Sequence, residues 1–292
     1  MISLFRKVAI VGPGLIGGSI GIGLRERDLA EEVTGIGRKQ SSLDKAIKAG
    51  AIDHATTNLA EGCANADLVI LATPIGTFET LAKKLAQCMK GGAILSEVGS
   101  TKQDVIKTIS RELAEREDIT FIPTHPMAGS EKRGPEHATG ALFEGSTCIF
   151  TPLQETPVQH IQKLKSMWQK LGARVHILSP KVHDELIARV SHLPHMAAAA
   201  IMDCVTEEDI RYAGTGFEDT TRIASGDPII WRDICKSNAP EIIRSIDRFI
   251  SSLSNAREML AKGRFADLEE WLQEAKQKRD RSLASKETDT TL

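Results

Sequence analysis

An imidazole, a hydroxyl and a carboxylate lie close together in Thr124-His125-Pro126-Met127-Ala128-Gly129-Ser130-Glu131, just past the strand-like run Ile119-Thr120-Phe121-Ile122. A histidine at a strand end can take a proton near neutral pH, and the residues behind it can orient a charged substrate. A second hydroxyl, Ser100, stands in Gly99-Ser100-Thr101-Lys102, after the apolar run Ala93-Ile94-Leu95 and before a helical pattern, and is expected at least to cap that helix. Ser191-His192-Leu193-Pro194-His195 adds two imidazoles three residues apart. That spacing can serve a metal, but no third or fourth ligand accompanies it, so packing or substrate contact is expected and no metal. Arg222, in the glycine-rich, mixed-charge segment from Gly214 to Ala224, is read as lying on a loop and carries a planar fork suited to a carboxylate. His54, His137, His160, His176 and His183 have no comparable setting and are given no role.

Gly12-Pro13-Gly14-Leu15-Ile16-Gly17 fits the GxGxxG pattern and sits between the apolar run Val8-Ala9-Ile10-Val11 and a helical stretch. In that context Gly12 permits a tight turn, Gly14 lets the backbone approach a pyrophosphate and Gly17 lets the helix pack on the strand, with Leu15 and Ile16 opening the helix. An NAD site usually places an acidic residue at the end of the second strand, whereas this chain has Gly37-Arg38-Lys39. Arg38 and Lys39 suit a 2′-phosphate, so NADP is favoured over NAD. Thr73 and Pro74, following Leu68-Val69-Ile70-Leu71, are expected along the cofactor.

These groups need strand ends to hold them. Short apolar runs alternate with helical patterns from Val8 through Val33-Thr34-Gly35-Ile36, Leu68–Leu71 and Ala93–Leu95, which predicts βαβ units and a mostly parallel Rossmann-type α/β sheet. Two further strands are expected at Thr147–Phe150 and Arg174–Leu178, with an amphipathic helix around Ile161, Leu164, Met167 and Trp168 between them. From Lys181 the period becomes helical, and His195–Met202 is apolar nearly all round, as for a helix buried on several sides. Asn238 is a candidate N-cap for a long helix carrying Ile242, Ile246, Phe249, Ile250, Leu253 and Leu260, closed by Gly263. A last helix carries Phe265, Leu268, Trp271 and Leu272. The expected division is a dinucleotide-binding domain over 1–180, an all-α domain over 181–280 and a frayed polar tail over 281–292.

The 292 residues are 41% hydrophobic, with a formal net charge of -2, which favours neither nucleic acid nor an anionic membrane as partner. Five scattered cysteines, without CxxC spacing, suit reduced and mostly buried thiols. No apolar run is long enough for a signal h-region or a membrane span, so a soluble cytoplasmic protein is expected.

Taken in order, the glycine motif, Gly99–Lys102, His125–Glu131, Ser191–His195 and Phe217–Trp231 resemble the prephenate and arogenate dehydrogenases of tyrosine biosynthesis over nearly the whole chain. The resemblance implies oxidative decarboxylation of a cyclohexadienol: His125 polarises the ring 4-hydroxyl, Ser100 links that hydroxyl to His125 and the nicotinamide, and Arg222 binds a substrate carboxylate. It also places Ser130 and Glu131 in the polar network around the substrate, His192 and His195 near the pocket, and Trp231 reaching it from the partner of a homodimer formed through the helical domain. Glu97 stands where the family commonly has aspartate, and the Gly37-Arg38 strand end departs from the NAD pattern. Two other readings share the layout: a β-hydroxyacid dehydrogenase or imine reductase, which commonly uses a lysine from the helical domain, and a non-catalytic NADP-sensing module.

Overall fold

The computed structural model describes residues 3–129 and 132–289, with side chains described to residue 282; Ser130 and Glu131 lie outside the described residues. Alternation of apolar residues along the strands decides the layering. In β1 (Phe5–Val11), Phe5, Val8 and Ile10 enter one core while Ala9 and Val11 enter another. Further along, β4 (Leu68–Leu71) divides the same way, Leu68 and Ile70 against Val69 and Leu71. A strand buried on both faces needs helices on both. One face takes α1 (Leu15–Glu26), α2 (Gln40–Lys48) and α6 (Val158–Lys170), the last contributing Leu164, Met167 and Trp168. The other takes α3 (Leu59–Cys63), α4 (Phe78–Cys88) and α5 (Gln103–Glu112).

The remaining strands are β2 (Ala30–Ile36), β3 (His54–Thr56), β5 (Ile94–Glu97), β6 (Thr120–Pro126), β7 (Thr147–Phe150) and β8 (Arg174–Ile177). Their order is β3-β2-β1-β4-β5-β6-β7-β8, with every neighbouring pair parallel except β6 with β7. The order reverses between β1 and β4, the crevice at which such sheets bind ligands. The strand β3 has no counterpart in the sequence reading, because three residues are too few to show a period.

Beyond the sheet the chain is helical: α7 (Pro180–Ile187), a π-helical turn Ala188–His192, α8 (Leu193–Asp203), α9 (Glu207–Ile210), α10 (Thr215–Thr221) and α11 (Pro228–Ser237). All of these belong to one compact unit, residues 1–239; a second unit, residues 240–292, holds most of α12 (Ala239–Ala261) and all of α13 (Phe265–Asp289). No described helix is long and apolar enough to cross a membrane.

Several expectations need correction. The expected loop Gly214–Ala224 is mostly helix, α10 followed by the 3-10 turn Arg222–Ser225, within which Thr220 and Thr221 turn their hydroxyls back to the carbonyls of Gly216 and Phe217. Along α8 only His195 and Ala198 are buried, and Ala199 and Ala200 are exposed on the single chain. Asn238 stands directly between α11, which it follows as C-cap, and the first residue of α12, the position expected of an N-cap, and its amide Nδ2 also reaches the Asp184 carbonyl and His192 Nδ1. The α13 backbone runs to Asp289, through most of the segment read as a polar tail, with Lys276 and Asp280 paired one turn apart. Gly263 closes α12 at φ 65° as expected. All five cysteines are free thiols, but only Cys63 and Cys148 are buried; Cys88 and Cys235 are half-buried and Cys204 is exposed.

Candidate functional site

At the switch point, Gly12 adopts φ 90°, and a Cβ there would stand 2.7 Å from Thr73 Cγ2 and 2.8 Å from the Ala72 carbonyl oxygen. The glycine turn and the end of β4 therefore touch, and only glycine fits between them. Gly17 is equally confined, by the Gly12 carbonyl, Ile10 and Ala72. Above Gly14 a Cβ would meet nothing within 4 Å, and Gly14 opens α1 without any side-chain cap. That leaves amide donors and open space where a dinucleotide's pyrophosphate would lie, so the residues fit the cofactor. Leu15 and Ile16 are half-buried at the start of α1; Thr73 bonds Thr77 at 2.7 Å, and Pro74 is exposed. Arg38 and Lys39 are exposed just before α2 and make no ion pair among the described residues.

Strand β6 continues through His125, so the imidazole lies inside the strand and not beyond it, with His125 opposite Ile149 of antiparallel β7. Only 7% of its surface is exposed. His125 Nδ1 lies 2.8 Å from His183 Nε2, and His183 Nδ1 lies 2.8 Å from Asp184 Oδ1. Burial first, then the neighbouring His183, Lys102 and His192, hold the His125 imidazole well below its ordinary value. Burial likewise lowers His183, against the pull of Asp184.

Behind this chain is a fully buried ion pair, Glu97 with Lys102, whose ammonium also donates to the Thr124 carbonyl at 2.7 Å. Burial pushes the Glu97 carboxyl up and the Lys102 ammonium down, each opposed by the other's charge. The carboxylate of Glu97 also accepts the Gly99 amide at 2.6 Å, fixing the turn that carries Ser100. Ser100 is not the helix cap expected from sequence: Asp184 caps α5, accepting the Lys102 and Gln103 amides at 2.8 Å each. The half-buried Ser100 makes no side-chain hydrogen bond among the described residues, and lies with His125 at the carboxyl ends of adjacent parallel strands, Glu97 opposite Pro123.

His192 is fully buried at the end of the π-helical turn, with Nδ1 3.3 Å from Asn238 Nδ2 and Nε2 unpartnered. Burial lowers its pKa to about 4. One helical turn on, His195 stacks on Trp231, the centroids 3.4 Å apart and the planes 8° from parallel, while His192 meets the same indole edge-on at 6.0 Å. Within the chain, Trp231 of α11 thus reaches both histidines. The ring of His195 is hydrogen-bonded to the Ile223 backbone and leaves Nδ1 unpartnered; Arg222, next to Ile223, is exposed. Two buried ring nitrogens without partners are what a polar ligand would satisfy.

Sequence reasoning missed His183, Asp184, Glu97 and Lys102 as parts of the site. The signal available for the ion pair was a glutamate ending the strand run Ala93-Ile94-Leu95-Ser96, five residues before a lysine. For His183 only its adjacency to Asp184 was visible.

The chain matches the family model described as the prephenate dehydrogenase nucleotide-binding domain over residues 20–177, and the one described as the prephenate dehydrogenase dimerization domain over 179–274. It is 31% identical over 266 residues to the cyclohexadienyl dehydrogenase of Zymomonas mobilis, covering 89% of this chain and 90% of that one. Among solved structures it is similar to the prephenate dehydrogenase of Aquifex aeolicus in complex with hydroxyphenyl propionate and NAD+, with TM-score 0.87, 35% identity and coverage of 94% and 97% of the two chains. It is also similar to the Synechocystis arogenate dehydrogenase, with TM-score 0.80, 28% identity and coverage of 94% and 99%. A doubly wound sheet with its dinucleotide turn at the switch point, a buried histidine at the next strand end but one, and agreement with both family domains lead to one assignment: the chain belongs to the prephenate dehydrogenase family.

Proposed function

We propose that this protein oxidatively decarboxylates prephenate or arogenate, giving 4-hydroxyphenylpyruvate or tyrosine, with hydride transfer to a nicotinamide cofactor. The observation that carries the reading is the buried, neutral His125 at the end of β6, on the same sheet edge as the glycine turn. When bound, the cofactor supplies the hydride acceptor. His125 takes the proton from the ring hydroxyl as the carbon bearing it loses hydride. The electron pair left behind by departing carbon dioxide moves through the ring to that oxygen, closing the aromatic ring, and the oxygen takes its proton back from His125 to give the phenol. Ser100, on the neighbouring strand end, orients the hydroxyl. Arg222 holds a substrate carboxylate. His192, His195 and Trp231 line the remainder, supported by the unpartnered ring nitrogens, and Ser130 and Glu131 complete the polar network.

The finer reading is NADP over NAD, supported by Arg38 and Lys39 at the end of β2 and by the lack of a carboxylate there. The working form is a cytoplasmic homodimer through the helical segment 181–280, supported by the dimerization-domain match and by the exposed Ala199 and Ala200 of α8. A steady-state assay crossing prephenate and arogenate with NAD+ and NADP+ tests both levels. Turnover of either substrate, with the higher kcat/KM on NADP+, is expected. No turnover in any of the four combinations would overturn the activity, and preference for NAD+ would overturn the cofactor reading alone.

A further inference from the structure

The ring nitrogens of His125, His183 and the carboxylate of Asp184 form a line, 2.8 Å at each step. Asp184 can only accept: besides His183 Nδ1, its oxygens take the Lys102 and Gln103 amides. Those donors hold its carboxyl below the ordinary range, against burial, so it is ionised at neutral pH. His183 must then carry its proton on Nδ1, and, being neutral, it offers a lone pair at Nε2. That lone pair obliges His125 to donate from Nδ1. The remaining nitrogen of His125, Nε2, is left bare.

We propose that His183 and Asp184 are positioning residues that select the tautomer of His125, so that its Nε2 lone pair is the one available to a substrate hydroxyl. The inference rests on the reading of His125 as the general base. When Nε2 takes the substrate proton, His125 becomes an imidazolium still donating to His183, and the Asp184 carboxylate beyond compensates the new charge without itself being protonated. Of the other titratable neighbours, Lys102 on the α5 side opposes that charge, His192 on the π-helical turn is itself uncharged near neutral pH, and Cys148 on β7 meets only the His125 backbone. His183 and Asp184 therefore supply the favourable side of the balance. An aspartate-to-asparagine change behind a catalytic imidazole is the established way to reverse such a tautomer, costing about 10⁴-fold in turnover in serine proteases.

The test uses the full-length enzyme labelled with 15N-histidine, with ring nitrogen shifts read at neutral pH and the His125 signal assigned by its loss in His125→Asn. Wild type is expected to show His125 protonated at Nδ1. In Asp184→Asn, one amide oxygen still serves α5 and an NH2 faces His183; the tautomers of both histidines should reverse, and kcat should fall roughly 10²- to 10⁴-fold with substrate KM little changed. Because Asp184 also caps α5, His183→Leu and His183→Gln give an independent arm. Leucine should lower kcat and shift the acid limb of its pH profile downward, since the imidazolium loses its acceptor, and glutamine, whose amide oxygen can accept from Nδ1, should recover part of both. Wild-type His125 protonated at Nε2, or folded His183→Leu with unchanged kcat and pH profile, would overturn the proposal. A wild type with the expected tautomer but no turnover of prephenate or arogenate would instead overturn the functional reading and leave the positioning chain standing.

Discussion

His125 is enclosed by His183, His192 and Lys102, and burial together with those neighbours keeps its imidazole neutral well below the ordinary histidine value of about 6.5. A general base must be unprotonated, so activity should persist as pH falls through 6.5 and be lost only at the depressed value; a kcat profile with its acid limb at or above pH 6.5 would contradict the assignment. His125→Asn should lower kcat by roughly 10²- to 10⁴-fold while cofactor affinity, measured by titration, stays close to wild type. The role of His125 was legible because a strand end beside a dinucleotide motif restricts what a histidine can be doing. His183 was not, because its partner lies 58 residues away and nothing in Lys181-Val182-His183-Asp184 points toward a strand. The same distance hid the true cap of α5: Ser100 has the right residue type near the helix start, but Asp184, 82 residues on from Lys102, supplies two acceptor oxygens where a serine would supply one.

The glycines of the first turn divide by what surrounds them. Gly17→Ala drives a methyl into the Gly12 carbonyl and Ile10, and should lower Tm as well as weaken the cofactor. Gly14→Ala meets nothing in the protein, so Tm in the absence of cofactor should hold, while affinity for NADP+ drops at least about tenfold because the methyl occupies the phosphate's approach. Equal Tm losses in both variants would show that the space over Gly14 is not kept for a ligand. Strand and helix positions in the sheet were readable from apolar alternation, which the two cores require. The join of α7 to α8 was not. On an unbroken α-helix His183 and His192 would stand about 180° apart, whereas a π-helical turn sets back the residues after it by about 90°, bringing His192 toward the face of His183. Such a turn leaves no period in the sequence.

Four histidines, His125, His183, His192 and His195, are held below the ordinary value by burial, and this sets how the whole molecule responds to acid. The unfolded chain binds their protons near pH 6.5 but the folded chain does not, so stability is full above that value and falls as pH drops toward about 4, where folded His192 titrates. Denaturant unfolding between pH 7.5 and pH 4.5 should show a loss on the order of a few kcal/mol. A flat profile would mean that these rings are solvated. The doubly wound order followed from sequence because each βαβ unit is local, but the site joins elements that a local reading keeps apart. This separation also has a consequence in time. Vectorial synthesis brings every strand, through Ile177, out of the ribosome ahead of His183 and Asp184, so the cap of α5 and the ring partner of His125 emerge only after the last strand has. The nascent chain can thus complete its sheet while its reactive centre is still open, and closes that centre only when α7 arrives.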